Sequence, residues 1–231
     1  MTEKKTRRLV LFDIDSTLIN TGGAGVEALK LASKKRFGID QDLSGIEIAG
    51  RTDSGIVRQI LAKHGVEPTD EELHRFFDSY LELLAQQLRI CEGRVLPGIV
   101  ELLQRLEERP HTTLGLLTGN LARGAQLKLE HYALWKHFPF GAFADDHHDR
   151  NELGMVACAR ALEHTGWQLA PSSVDVIGDT EHDVACGKAI GARTIAVATG
   201  SRTREELAKA EPDFLFEDFS QTDDVIAKLG W

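Results

Sequence analysis

The chain has 231 residues, 42% apolar and 27% charged, with a formal net charge of −9. That length holds one large domain or a core with a smaller insertion. The negative charge argues against general affinity for nucleic acid or an anionic membrane surface, and no apolar run approaches a membrane span.

The basic start, Lys4-Lys5 and Arg7-Arg8, reads as a solvated tail. Behind it Leu9-Val10-Leu11-Phe12 reads as a short buried strand, residues 9–13, that ends in Asp13-Ile14-Asp15-Ser16-Thr17-Leu18. Two carboxylates one residue apart concentrate like charge, which persists where a cation or a reaction needs it. An Asp carboxylate can attack phosphorus and form an acyl phosphate, and a second Asp nearby can move the leaving group's proton. Taken alone, the pattern also fits an acidic turn that only ends a strand.

From Gly22 to Cys91 the chain shows helices and no convincing strand. Residues 24–37 read as a helix stopped by Gly38. Residues 53–64 carry Ile56, Val57, Ile60 and Leu61 on one face, with Thr52 or Asp53 as N-cap. Thr69-Asp70-Glu71-Glu72 is a capping box. It opens a helix whose Leu73, Phe76, Tyr80, Leu81, Leu84 and Leu88 make one wide apolar stripe. The block reads as a helical insertion after the first strand, with Gly22-Gly23 available as a hinge.

After Gly93 strands and helices alternate, which points to an α/β protein with a parallel sheet. Candidate strands are residues 113–117, 141–143, 174–178, 194–198 and 213–216. Candidate helices are 99–108, 121–131, 153–164, 183–190 and 204–210. Gly166 and Gly191 sit where helices stop, and Thr203 with Glu206 forms a second capping box.

In open parallel sheets ligands bind beyond the carboxyl ends of the strands. Three strands end in polar loops: Asp13 and Asp15; Thr118-Gly119-Asn120; and Gly178-Asp179-Thr180-Glu181-His182-Asp183. Asp13, Asp15 and Asp179 would crowd negative charge, which Mg²⁺ with oxygen ligands relieves. Thr118 offers a hydroxyl and Gly119 an open backbone N–H for phosphoryl oxygens. A cation is still needed to offset the transferring group. Arg150 is best placed for it, with Lys128, inside a helix, as competitor.

These three motifs, in this order and with a helical insertion after the first, resemble the haloacid dehalogenase superfamily, and within it phosphoglycolate-phosphatase-like hydrolases. The resemblance covers nearly the whole chain. It implies a Rossmann-like, doubly wound parallel sheet core (residues 1–20 and 92–231) under a small all-helical cap (21–91). It implies a cytoplasmic, Mg²⁺-dependent phosphatase of a small phosphorylated metabolite, phosphoglycolate-like or a sugar phosphate, with no nucleic-acid or membrane partner. Asp13 would be the nucleophile and Asp15 the acid and base. The metal would be held by the Asp13 side chain, the Asp15 backbone carbonyl and Asp179. Asp183 and Asn120 would support the site, and Thr118, Gly119 and Arg150 would bind phosphate. A phosphomutase, or a slow member that only binds a phosphorylated ligand, stays open. Two positions depart from the family pattern: Ser16 stands where glycine is usual, and Arg150 where lysine is usual.

Other features weigh less. Asp145-Asp146-His147-His148-Asp149 could bind a transition metal but reads better as an exposed acidic loop. Cys91, Cys158 and Cys186 form no zinc pattern and fit a reducing compartment. His182 reads as a solvated loop histidine. Arg51 could reach a substrate carboxylate or phosphate on cap closure.

Overall fold

The computed structural model describes residues 7–40, 43–147 and 149–231. Six parallel strands make one sheet: β1 (Arg8–Phe12), β4 (Thr112–Leu117), β5 (Gly141–Ala142), β6 (Val174–Gly178), β7 (Arg193–Val197) and β8 (Phe214–Phe216). Their spatial order is β5-β4-β1-β6-β7-β8. β1 lies between β4 and β6, pairing Phe12 with Leu116 on one side and with Ile177 on the other.

Strand side chains alternate between faces, and helices cover both. Val10 and Phe12 pack with α4 (Ile99–Glu107), α5 (Ala122–His131) and α9 (Thr222–Leu229). Leu9 and Leu11 pack with α6 (Arg150–Thr165) and with Cys186 of α7 (Glu181–Ala189). This explains why β1 reads as a continuous apolar run rather than an alternating one. α8 (Arg204–Ala208) starts at the Thr203–Glu206 capping box.

The helical stretch consists of α1 (Ala24–Phe37), α2 (Asp53–Lys63) and α3 (Asp70–Gln87). Gly38 stops α1 in the left-handed region, Thr52 caps α2, and Thr69 with Glu72 boxes α3. The α3 stripe packs on α1 and α2 in an apolar cluster of their own, joined from the sheet side by Leu121 and Ala144. Where the chain leaves for α1 and returns, β2 (Ile19–Asn20) and β3 (Arg94–Val95) pair antiparallel. Two-residue strands leave no periodicity to read, so this ribbon goes unseen in the sequence. α9 escaped it as well.

The tail reading needs one correction. Residues 1–6 lie outside the described residues, but Arg8 belongs to β1, and its guanidinium donates to Asp175 at 2.8 Å. Asp175, fully buried, also accepts from Arg193 at 2.6 Å and from the Trp231 indole at 2.7 Å. This carboxylate ties the first and last elements of the core together. Among the described residues no helix is long and apolar enough to cross a membrane.

Candidate active site

The three polar loops leave β4, β1 and β6, which are neighbours, so their residues converge at one sheet edge. Asp13, Asp179 and Asp183 are buried, and one carboxylate oxygen of each lies within 4.8 Å of the others. Arg150, first residue of α6, enters this group. Its Nη2 lies 3.0 Å from Asp13 Oδ1 and pairs with Asp183 Oδ1, while Nη1 donates to the Gly50 carbonyl at 3.3 Å. The approach to Asp13 is a charge contact rather than an aligned hydrogen bond, and Asp13 Oδ1 is buried without a hydrogen-bond donor.

The electrostatics follow from this crowding. Burial lifts the Asp13 carboxyl to about 6, against the pull of Arg150. Asp179 rises to about 9, first from burial and then from Asp183 and Asp13 beside it. Burial alone would lower Arg150, but Asp183 and Asp13 outweigh it and hold the guanidinium charged. Three carboxylates against one guanidinium leave negative charge over, and Asp13 Oδ1 is free to coordinate. Oxygen donors so disposed fit a hard divalent cation.

A second cation stands on the other side. Lys128 Nζ donates to Asp15 Oδ2 and to Asn120 Oδ1, each at 2.6 Å. Asn120 Nδ2 adds a bond to the same Asp15 oxygen at 2.8 Å and one to Thr118 Oγ1, also at 2.8 Å. Burial alone would lower the Lys128 pKa, but Asp15 and Asp53 raise it above the usual value. Arg150 and Lys128 are therefore not alternatives: one meets Asp13, the other Asp15. Thr118 is fully buried and caps no helix, since α5 is preceded by Leu121.

A family model described as haloacid dehalogenase-like hydrolase matches residues 10–197. The chain belongs to this family. It is similar to the probable phosphatase IndB of Dickeya dadantii, at 30% identity covering 92% of this chain and 90% of that one. It is also similar to the phosphoglycolate phosphatase of Synechococcus elongatus, at 25% identity covering 95% and 97%. The crystal structure of CbbY from Rhodobacter sphaeroides in complex with phosphate shares the fold, with a TM-score of 0.75 and 19% identity over 94% of this chain and 96% of that one.

In this hydrolase the first departure from the family pattern is a backbone matter. Ser16 takes φ +61, the left-handed turn that glycine would adopt without strain. Its N–H donates to the Ile19 carbonyl at 2.7 Å, and its carbonyl accepts the Thr199 hydroxyl. Gly119 must stay glycine: an added Cβ would lie 2.3 Å from the Arg51 carbonyl oxygen and 3.0 Å from Arg150. The same close approach lets the Asp53 N–H donate to the Gly119 carbonyl at 2.7 Å.

Thr52, not Asp53, caps α2. Asp53 instead accepts the Leu121 N–H at 2.9 Å, and burial lifts its carboxyl to about 6. Arg51 lines the cavity, but its guanidinium is held by Glu47 through Nε at 2.9 Å. His182 lies in α7 rather than a loop, its Nε2 3.5 Å from Glu47. In the acidic loop Asp146 is taken by Arg160 through two bonds of 2.6 and 2.7 Å, and Asp145 accepts the Ala122 N–H. His148 lies outside the described residues, and among the rest this loop forms no metal-spaced group.

A cavity of about 370 Å³ joins the two cations, its floor formed by Asp13, Asp15 and Asp179 and its far wall by α1, α2 and α3. Sequence reasoning missed Tyr80 and the contact between Lys128 and Asp15. The signal for Lys128 was present. Gly124, Ala125, Lys128 and Leu129 share the buried face of α5, and a lysine on such a face needs a buried acid.

Proposed function

We propose that this protein is a Mg²⁺-dependent phosphatase that hydrolyses a small phosphorylated metabolite through a phosphoaspartate on Asp13. The observation that carries the reading is Asp13 Oδ1: buried, without a hydrogen-bond donor, at the cavity floor, with the Arg150 guanidinium at 3.0 Å. A carboxylate oxygen left unpaired costs stability, and a nucleophile has a use for that lone pair.

In this reading Asp13 attacks phosphorus. Arg150, held by Asp183, offsets charge on the phosphoryl oxygens, which Thr118 and the Gly119 N–H also receive. Asp15 protonates the leaving oxygen, and the same carboxylate then takes a proton from the water that hydrolyses the acyl phosphate. Lys128 and Asn120 keep Asp15 fixed through both steps. The Asp13 side chain, the Asp15 backbone carbonyl and Asp179 would hold Mg²⁺, which supplies further charge neutralisation. Residues 21–91 serve as a cap over a core of residues 1–20 and 92–231, closing the cavity to bulk water. For Arg51 to reach substrate it must first leave Glu47.

The test is Mg²⁺-dependent release of inorganic phosphate from a panel of phosphate esters, run beside Asp13→Asn. The reading expects release by the parent to fall by at least about 10³-fold in the variant. Equal release by both ends it.

A further inference from the structure

We propose that Tyr80 and Lys128, whose polar tips both reach the bare Cα of Gly25, form a subsite for a neutral hydroxyl of the leaving group. This rests on the reading that Asp15 faces the leaving group, and it goes further by naming the class of alcohol released.

Tyr80 is a buried cavity-lining residue, 1% exposed. Its hydroxyl makes no hydrogen bond among the described residues. A hydroxyl that lines the cavity in this way is open to a ligand oxygen. Lys128, 3% exposed, spends two N–H groups on Asp15 and Asn120, and an ammonium has a third. A Cβ built on Gly25 would sit 3.6 Å from Lys128 Nζ and 4.0 Å from the Tyr80 oxygen, so both polar tips reach the same open patch of α1. Three helices, α1, α3 and α5, supply one residue each, and both donors are locked by burial.

Two donors side by side call for an oxygen acceptor. Charge decides which kind. Lys128 already faces the Asp15 carboxylate at 2.6 Å and has the buried Asp53 as a second negative partner. A substrate carboxylate here would be a third negative group around one ammonium. A hydroxyl adds no charge and can both accept and donate. Beyond the two tips the cavity is walled by Val26, Leu29 and Ile56, which suit the C–H faces of a polyol or sugar. The subsite therefore selects phosphate esters of polyhydroxy alcohols over esters that carry a carboxylate at the same place.

The discriminating pair is 2-hydroxyethyl phosphate and 2-phosphoglycolate, which place a hydroxymethyl group or a carboxylate on the same carbon. Binding of each is measured by calorimetry, with Mg²⁺, to Asp13→Asn and to Asp13→Asn/Tyr80→Phe. Because affinity is read, failure of the phosphatase reading shows separately, as absence of turnover by the parent. The hydroxyl ester is expected to bind at least about tenfold tighter to Asp13→Asn, and removal of the Tyr80 hydroxyl is expected to shrink that ratio about tenfold. The proposal is overturned by tighter or equal binding of 2-phosphoglycolate, by a ratio that Tyr80→Phe leaves unchanged, or by binding of neither ester.

Discussion

The Arg150 guanidinium lies 3.0 Å from Asp13 Oδ1, while the same nitrogen pairs with Asp183. One planar group thus links the first and third polar loops. Arg150→Met removes the only cation beside the proposed nucleophile among the described residues. Steady-state phosphate release should fall by about 10²–10³-fold in kcat/KM. Arg150→Lys should recover part of it, since an ammonium keeps the charge but lacks the second nitrogen that holds the Gly50 carbonyl and fixes the planar group. Full activity in Arg150→Met would remove this residue from the site.

The acidic cluster makes stability depend on pH in a stated direction. Asp13 and Asp53 are raised to about 6 and Asp179 to about 9, from an ordinary value of 3.8. The folded protein therefore keeps protons that the unfolded chain has lost. The contribution of these groups is greatest below about pH 4 and falls as pH rises, through about 6 for the first two and about 9 for Asp179. In metal-free buffer Tm should drop between about pH 6 and about pH 9, and Asp179→Asn should flatten that drop. Mg²⁺ should raise Tm more at about pH 8 than at about pH 5, because at the higher pH Asp13 is already ionised and the metal has fewer protons to displace. A pH profile of Tm that Asp179→Asn leaves unaltered would contradict this.

Much of this arrangement was legible beforehand, for physical reasons. The parallel strands announce themselves as apolar runs, and α1 and α3 begin and end at capping residues with fixed geometry, such as Gly38 and Thr69. Chain order after β1, β4 and β6 placed the three polar loops at one edge. What stayed hidden depends on packing between distant elements. The β2–β3 ribbon is too short for periodicity. Tyr80 looked like one more member of an apolar stripe, and only its place opposite Gly25 shows its hydroxyl facing a cavity. Asp175, in the middle of a buried strand, needed Arg8, Arg193 and Trp231 from elsewhere in the chain to explain it.

That last cluster carries a stability prediction away from the site. Asp175→Ala takes the shared partner from two part-buried guanidinium groups and a buried indole N–H. Urea unfolding should show a loss of about 3 kcal/mol. Because the cluster lies far along β6 from Asp179, kcat/KM of the folded fraction should hold. A loss below about 0.5 kcal/mol would mark the cluster as surface pairing.

Ser16 sits in the left-handed region with φ +61. Such a conformation costs an L-residue about 1–2 kcal/mol, offset in part by the greater chain entropy of glycine. Ser16→Gly should therefore raise stability by up to about 1 kcal/mol, and Ser16→Val should lower it, since a β-branched side chain tolerates this turn poorly. Chemical denaturation of the three proteins orders them, and a destabilised Ser16→Gly would show that the serine side chain stabilises more than its backbone strains.

The central claim is that Asp13 itself becomes phosphorylated. Acyl phosphates are reduced by borohydride to the alcohol, which would turn Asp13 into homoserine. The parent protein, mixed with Mg²⁺ and a turned-over ester and quenched into borohydride, should show homoserine at position 13 by peptide mass spectrometry, and none when ester or metal is omitted. Steady release of phosphate with Asp13 unmodified under the same quench, or homoserine at Asp15, Asp179 or Asp183 in its place, would contradict it.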